Sequence, residues 1–463
     1  MTEPAHLPGQ PGAPVAHSEW RALLAIALPV VAVQVGMMTM GVVDTLMMGH
    51  VSAEALAGVA LGNLYVFTLL VVGMGTLMAL DPLVAQAVGA GDHHAVTRSI
   101  QRGLVLAFGL GLVLMAFMMP AGWVLRAFRQ PITVIPDAAL YCHISVAGLV
   151  PFLVFVVLRQ SLQAIGRMSA IVVTIVVGNV INAAANWVLI YGNLGAPKLG
   201  VAGAAIATVI GRWSMLIVLA MLAWRTLRPY MARFEPHTFA AAPLRRMLAL
   251  GLPIGLQQFL EVSAFAGVGL LMGTFGAVQV ASHQIALNLA ALTFMVPLGV
   301  SAAAAVRVGN AVGAGDAPRS RKAARLSYYL GAGFMTFTAG IFLAFPRPLA
   351  DLFTDDPALI ELAALLLPIA GVFQIFDGLQ AVGAGVLRGL GDTRVPLVAM
   401  LSGYWLIGLP VSLFLGFRTI LGPQGLWWGF VAGLASVSVF LLWRVVILFR
   451  RGVSRVVIDH PHH

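Results

Sequence analysis

The chain has 463 residues, of which 60% are hydrophobic and only 10% are charged, and its formal net charge is +10. A soluble domain usually carries roughly 25% charged residues, so a soluble protein is excluded and lipid must surround most of the surface. The excess positive charge fits basic loops on one side of a membrane better than a nucleic-acid interface, and a single cysteine, Cys142, excludes an internal disulfide and a cysteine metal site.

The first segment, residues 1–20, is rich in Pro, Gly and Ala and lacks the basic and apolar regions of a signal peptide. We expect it to be a disordered cytoplasmic tail. Because a membrane-spanning helix needs about 20 apolar residues, hydropathy predicts twelve spans after it. Their ranges are 22–48, 58–86, 102–121, 138–159, 169–192, 200–223, 247–273, 282–306, 325–346, 360–386, 395–416 and 425–449.

The basic residues predict the orientation of these spans. With the N-terminus inside, 21 Lys and Arg residues fall in cytoplasmic segments and five in external ones, and Arg212 lies within a helix. Cytoplasmic loops of membrane proteins carry such an excess. We therefore expect a multi-pass protein of the bacterial inner membrane with both termini in the cytoplasm, the second being the tail 451–463.

An internal repeat divides the chain into two halves. The sequence Ala-Val-Gly-Ala-Gly-Asp at 87–92 recurs at 311–316, an offset of 224 residues. Six helices per half give both halves the same orientation, as in parallel repeats related by an axis along the membrane normal. The predicted fold is an all-α polytopic membrane protein with twelve transmembrane helices in two six-helix lobes related by pseudo-two-fold symmetry. The lobes are 21–223 and 247–450, joined by a basic cytoplasmic linker, 224–246.

Acidic residues inside the predicted spans are candidate functional residues, because each costs about 2.5–3.5 kcal/mol to insert. They are Asp44, Asp81, Glu261 and Asp377. Helical rise from the nearest basic residue places Glu261 about 22 Å and Asp377 about 16 Å from the cytoplasmic edge. Neither has a Lys or Arg near its depth on its own helix, so protons, metal cations and cationic substrates are expected to compete there. The alternative is two protonated carboxyls that make structural hydrogen bonds.

Polar and aromatic residues extend this second-half candidate site, since aromatic ring faces attract organic cations. Phe265 follows Glu261 by one helical turn and shares its face. Na⁺ is the metal ion we expect at Glu261 and Asp377. The other candidates on the neighbouring spans are Gln284, Asn288, Phe294, Gln374 and Gln380.

The first half offers a second candidate site. Asn182 and Asn186 are four residues apart on one helix face and could hydrogen-bond Asp44. They could equally bridge helices without a role in transport. Arg212 could neutralise either Asp44 or Asp81. Gln34, which recurs in the repeat, completes the candidate set.

The sequence supports neither an ATP-binding nor a dinucleotide-binding site. No Gly-x-x-x-x-Gly-Lys-Ser/Thr pattern occurs, which argues against ATP as the energy source. The Gly-Ala-Gly segments at 89–91 and 313–315 follow helices, not strands, so tight turns explain them better than a dinucleotide site. We expect no cofactor, only a coupling ion, Na⁺ or H⁺.

Taken together, several segments resemble the multidrug and toxic compound extrusion (MATE) transporters, most closely the NorM-type branch, over nearly the whole chain. The segments that carry the resemblance are Val43-Asp44-Thr45, Met48-Gly49-His50, Met78 to Gln86, Gln257 to Glu261, His283 to Asn288, Val306 to Gly309, Phe376 to Gln380 and Leu387-Arg388-Gly389.

The resemblance implies two lobes that alternate in access and export cationic or amphipathic drugs and dyes, driven by Na⁺ or H⁺ influx. It also implies a second-lobe cation site at Glu261 and Asp377 near Phe265 and Phe294, and a first-lobe network of Asp44, Asn182 and Asn186. Two positions depart from the family pattern. Position 81 is usually uncharged, and position 294 is often tyrosine in NorM-type members.

The function we predict is therefore a secondary active multidrug exporter, a non-enzyme that acts as a monomer in the lipid bilayer without nucleic acid. One alternative is a lipid-linked precursor flippase of the same superfamily, which would need a cationic cavity. The other is a membrane-embedded enzyme. For prenyl transfer that enzyme would need an Asp-Asp-x-x-Asp cluster on a helix, whereas the only adjacent pair, Asp355-Asp356, lies in a predicted external loop.

Overall fold

The computed structural model describes residues 18–459. Within this range the chain forms no strand, and twelve helices are long and apolar enough to cross a membrane, which confirms the predicted fold class. We number these helices α1–α12. Their bounds are α1 Ser18–Gly49, α2 Ala53–Gly89, α3 His93–Met118, α4 Ile135–Ile165, α5 Ser169–Tyr191, α6 Val201–Met231, α7 Ala241–Gly273, α8 Ala277–Gly313, α9 Ala317–Ala344, α10 Pro357–Gly389, α11 Arg394–Arg418 and α12 Pro423–Arg451.

Three spanning helices are locally irregular. α2 has a break after Leu77, where Pro82 has no N–H to offer the carbonyl of Met78. α4 contains the 3₁₀ turn Val146–Gly148. α11 contains a π-helical segment, Leu401–Gly408, and such segments are frequent at functional sites. Two short helices, Ala121–Ala127 and Pro346–Asp351, and two 3₁₀ turns, Asn193–Gly195 and Pro236–Phe239, lie in connections.

Several helices run further than hydropathy predicts. α3 begins at His93 and not at residue 102, and the predicted linker 224–246 is helical at both ends, through α6 and α7. A helix continues into water when its polar side chains reach solvent, so hydropathy marks only the part in lipid. α1 likewise includes the last three residues of the predicted tail 1–20. The rest of that tail and residues 460–463 lie outside the described range.

The repeated sequence at 87–92 and 311–316 forms the same turn twice. Gly91 and Gly315 adopt left-handed conformations, with φ of 68° and 71°, and end α2 and α8. The next residues, Asp92 and Asp316, cap the N-termini of α3 and α9 through their side chains. The motif is therefore a helix stop followed by a helix start, as the tight-turn interpretation requires.

The lobes α1–α6 and α7–α12 meet where α1 packs on α8 and α2 packs on α7 and α8. Small residues allow this close approach. A Cβ added to Gly75 would lie 2.5 Å from the Cα of Gly255, so the two helices touch through their backbones. A larger residue at either position would force the lobes apart.

Polar contacts between the lobes are concentrated at one end of the bundle, which we call the basic end and which carries the α2–α3, α6–α7 and α8–α9 connections. Arg307 of α8 pairs with the buried Glu19 of α1 at 2.8 Å. Gln86 of α2 donates to the carbonyl of Gly389 at 2.8 Å. Further hydrogen bonds and ion pairs between the lobes lie at this end or near mid-helix. The lobes are thus closed against each other at the basic end.

Candidate functional site

The second lobe brings Glu261 of α7 and Asp377 of α10 together. The charges of the two carboxylates act on each other. Asp377 is buried, and its Oδ1 has no hydrogen-bond partner. No ion pair with Lys, Arg or His reaches either acid within the described residues. Two neighbouring carboxylates without a basic partner can share protons or hold a cation between them.

An aromatic cluster lies beside these acids. The ring of Phe265 packs against Phe373, Phe430 and Tyr404, with centroids 5.9, 5.0 and 6.3 Å away. Trp427 extends the cluster, 5.6 Å from Phe373. Sequence analysis named Phe265 and Phe294 for this site and missed the other rings of the cluster, although Phe373 lies on α10 one helical turn before Asp377. Phe265 is the half-buried ring of this cluster, whereas the other rings are buried, so Phe265 is the ring best placed to meet an organic cation.

Tyr404 is a residue of this site that sequence reasoning missed. It lies in the π-helical segment of α11, and the charges of Glu261 and Asp377 both act on it. Its side chain is 2% exposed, yet its hydroxyl has no hydrogen-bond partner. A tyrosine within an apolar stretch gives no signal of this kind, because a π turn is not visible in hydropathy. The unpaired hydroxyl provides one more oxygen next to the two carboxylates.

The amide side chains predicted around the acids differ in burial, since two are buried and two are exposed. Gln374 is buried, and its Oε1 accepts from Thr293 at 3.1 Å and from Thr338 at 2.9 Å. Gln380 is buried, with Oε1 unpaired. In contrast, Gln284 and Asn288 are exposed and hydrogen-bond each other at 3.1 Å.

Phe294 does not join the aromatic cluster around Phe265. Its side chain is half-buried on α8, and within the described range it makes no ring contact. The structure therefore separates Phe265, which lies in the cluster, from Phe294, which does not.

In the first lobe, Asp44 is held by neutral side chains. Asn186 donates to Asp44 Oδ1 and to Asn182 Oδ1, and both asparagines are fully buried. Thr208 lies 3.5 Å from Asp44 Oδ2 and 3.4 Å from the hydroxyl of Tyr141. The i, i+4 spacing of the asparagines thus does bring them to this acid.

Gln34 and Arg212 lie outside this direct hydrogen-bond chain. The side chain of Gln34 is 3.5 Å from Arg159 of α4. The guanidinium of Arg212 lies 5.4 Å from the centroid of the Phe152 ring and forms no ion pair within 4.0 Å with a described acid. Arg212 therefore makes a cation–π contact instead of a direct salt bridge to Asp44 or Asp81.

Asp81, the acid that departs from the family pattern, pairs across the lobe interface. Arg388 of α10 approaches its Oδ2 at 3.2 Å, and Asp81 is fully buried. Arg388 also donates to Ser301 at 3.2 Å. The first-lobe acid is thus neutralised by an arginine of the second lobe, which couples the pair to lobe closure.

The described residues contain no group of three or more His, Cys, Asp or Glu side chains able to hold a metal ion. The second-lobe site offers two carboxylates, whose charges act on the Tyr404 hydroxyl, and these are hard oxygen ligands. Hard-oxygen donor sets of this kind are able to accept protons or alkali cations.

Comparison with known proteins agrees with the repeat. The sequence profile of a family described as MatE matches residues 29–188 and 253–414, and the two matches begin 224 residues apart. The chain belongs to the MATE family. Its twelve helices therefore form a MATE transporter fold, which consists of two copies of a six-helix unit.

Curated relatives cover almost the full length of this MATE protein. "Multidrug resistance protein MdtK" of Edwardsiella ictaluri (strain 93-146) is 36% identical over 444 residues, covering 94% of this chain and 97% of the relative. The protein of the same name from Cronobacter sakazakii (strain ATCC BAA-894) is 34% identical over 440 residues, covering 94% and 96%.

Solved MATE structures share the fold. The eukaryotic MATE transporter AtDTX14 superposes with a TM-score of 0.86 at 23% identity, covering 94% of this chain and 97% of that one. A multidrug resistance MATE family transporter in an outward-facing conformation gives 0.84 at 20% identity, with the same coverage. At these identities the likeness concerns the fold alone.

Proposed function

We propose that this MATE protein is a secondary active multidrug exporter of the bacterial inner membrane. It exchanges cationic or amphipathic drugs and dyes for inward Na⁺ or H⁺ by alternating access. The names of the MdtK relatives support the export of drugs. The excess of basic residues at one end supports a cytoplasmic position for that end and for both termini. The protein works as a monomer and needs no cofactor.

The observation that carries the proposal is the interacting pair Glu261 and Asp377 beside an aromatic cluster, with no basic side chain of residues 18–459 in an ion pair with either acid. In a medium of low dielectric constant, two such carboxylates need a proton or a cation to balance their charge. A cationic drug and the coupling ion compete for this charge. Entry of the ion therefore favours departure of the drug.

The lobe contacts supply the second half of the mechanism. With the basic end in the cytoplasm, the described state is closed inwards and corresponds to the state that releases drug and takes up the ion. One charge moving down 100 mV supplies about 2.3 kcal/mol. A one-for-one exchange of monovalent cations is electroneutral, so a concentration gradient or a second ion must provide the driving force.

The test is ethidium efflux from vesicles that contain the purified protein, with a Na⁺ gradient or a proton gradient imposed separately. We expect efflux under one gradient and its loss in Glu261→Gln. The matched control is Glu361→Gln, because Glu361 is an acid of the same lobe whose side chain is 73% exposed. Normal efflux by the Glu261 variant would contradict the proposed site, and no efflux under either gradient would favour a flippase.

A further inference from the structure

The segment after α12, Gly452–Asp459, crosses the basic end of the bundle, and we call it the C-terminal strap. It belongs to the second lobe through its chain connection. It is also fixed there by the carbonyl of Ile458, which accepts from Arg246 at the start of α7 at 2.8 Å. The Ile458 side chain is 7% exposed. The strap is therefore packed against its own lobe and is not a free tail.

The same strap binds the first lobe through two sets of ion pairs. Arg455 donates to Asp92 in the α2–α3 turn at 2.9 Å. Asp459 forms ion pairs with Arg102 at 2.7 Å and with Arg98 at 3.1 Å, both on α3. These contacts span the lobe interface, because α3 and α12 belong to different lobes.

A backbone contact lies between the ion pairs. The amide of Val456 donates to Gln86 Oε1 at 2.7 Å. The Nε2 of Gln86 in turn donates to the carbonyl of Gly389 at the end of α10. A single first-lobe side chain thus binds both the strap and the second-lobe helix next to it, so separation of the lobes must break both bonds.

Asp92 has a double role at this point. It caps α3 through the N–H of Ala95, at 2.9 Å, and accepts from Arg455. Partial burial raises its pKa, but these hydrogen bonds outweigh burial and hold the pKa of Asp92 below its usual value. The carboxylate stays charged at neutral pH and available to the strap.

We propose that the C-terminal strap is a latch that holds the two lobes together at the basic end and must release α3 before that end can open. The latch rests on the alternating access of the proposed function, but not on the identity of drug or ion. It stabilises the closed state selectively, because its ion pairs to α3 cross between lobes, whereas the Arg246 contact stays within one lobe and survives opening.

The test is a distance measurement by pulsed EPR between spin labels at His93→Cys on α3 and Ala317→Cys on α9, two exposed positions on opposite lobes. The background carries Cys142→Ser. We expect the double variant Arg455→Ala/Asp459→Ala to increase the population of longer, open distances roughly two- to fivefold, as the loss of partly exposed ion pairs would. Arg455→Lys alone, which keeps the charge, is expected to retain most of the closed population.

The matched control is Arg451→Ala, an exposed arginine at the end of α12, which should leave the distances unchanged. Thermal unfolding of each variant checks that the fold is intact. An unchanged distance distribution in the double variant would overturn the latch, as would an equal shift in the Arg451 control. The measurement needs neither drug nor gradient, so a failure of the proposed transport function would not affect its outcome.

Discussion

The acids of the two lobes are balanced in different ways. Asp44 of the first lobe accepts hydrogen bonds from neutral side chains of its own lobe, Asn186 and Thr208. Asp377 of the second lobe leaves one oxygen unpaired and shares its site with Glu261. Donors to a carboxylate stabilise its charged form, whereas a neighbouring carboxylate destabilises it. The first-lobe acid thus has donors and the charge of Arg212 within the protein to oppose the cost of its burial, whereas the second-lobe pair depends on a proton or cation from solution.

Asp81 extends the comparison, because it has a full counter-charge in Arg388. The molecule therefore holds an acid paired to a cation, an acid held by neutral donors, and an acid pair without either. The duplication has kept the helices and turns in both halves but not the acids, since at the offset of 224 residues Asp44 corresponds to Val268 and Glu261 to Met37. Substitution of each acid should therefore have a different effect on ion binding and on stability.

The largest expected effect is on the unpaired acids. The double variant Glu261→Gln/Asp377→Asn removes both charges while keeping the side-chain shapes, so we expect coupled efflux to be lost. Apparent affinity for the coupling ion should fall by at least roughly 30-fold, as when a buried charge partner is removed. The measurement is ion-dependent ethidium efflux, with Glu361→Gln as the control. Retention of ion-driven efflux by the double variant would contradict the second-lobe site and favour Asp44 as the residue that binds the coupling ion.

The next prediction compares the stability cost of removing an acid with an ion-pair partner, Asp81, and one without, Asp377. Asp81→Leu strands the buried guanidinium of Arg388, and breaking a buried ion pair from one side typically costs about 3–5 kcal/mol. We expect a clear fall in the melting temperature, which is measured by tryptophan fluorescence. Asp377→Asn, which strands no counter-charge, should leave it unchanged or raise it.

A double-mutant cycle sharpens this result. Asp81→Leu/Arg388→Met replaces both members of the pair with apolar groups, so we expect most of the lost stability to return. If the double variant is as unstable as Asp81→Leu alone, packing and not charge pairing accounts for the cost.

A smaller effect is expected in the first lobe. Asn186→Ala removes the donor to Asp44 and to Asn182 Oδ1, and leaving buried polar groups unpaired typically costs about 1–3 kcal/mol. Thermal unfolding measures the loss. Thr208→Ala is the comparison, because its longer contact of 3.5 Å should contribute less. Equal losses of stability in the two variants would mean that Asn186 contributes no more than Thr208 to the surroundings of Asp44.

The fold was predictable from sequence, because lipid imposes a hydropathy pattern on each span and the repeat fixes the two halves. The helix ends were less so, since α3 and α6 continue into water where charge replaces apolar residues. Among the acids, local spacing brought Asn186 to Asp44, because residues four apart share a helix face.

Contacts between distant segments were not predictable. Asp81 and Arg388 are 307 residues apart, and nothing in either helix marks the other as its partner. Sequence analysis therefore left Arg212 as the candidate counter-charge for Asp44 or Asp81. The charge of Arg212 does act on Asp44, but its guanidinium packs on Phe152 and forms no ion pair with a described acid. The C-terminal strap was likewise treated as a cytoplasmic tail, because a segment of eight residues is too short to carry a pattern that specifies where it docks.

The smallest expected effect tests whether Tyr404 belongs to the unpaired site. Tyr404→Phe keeps the ring contacts with Phe265 and Phe430 and removes only a hydroxyl that has no hydrogen-bond partner among the described residues. Stability should therefore change little. If the hydroxyl contacts the bound ion, apparent ion affinity should fall by roughly two- to tenfold, the range of a single hydrogen-bond-strength interaction. The matched control is Tyr329→Phe, an exposed tyrosine of the same lobe. An unchanged ion dependence would confine the cation site to the two carboxylates and leave the aromatic cluster to the drug.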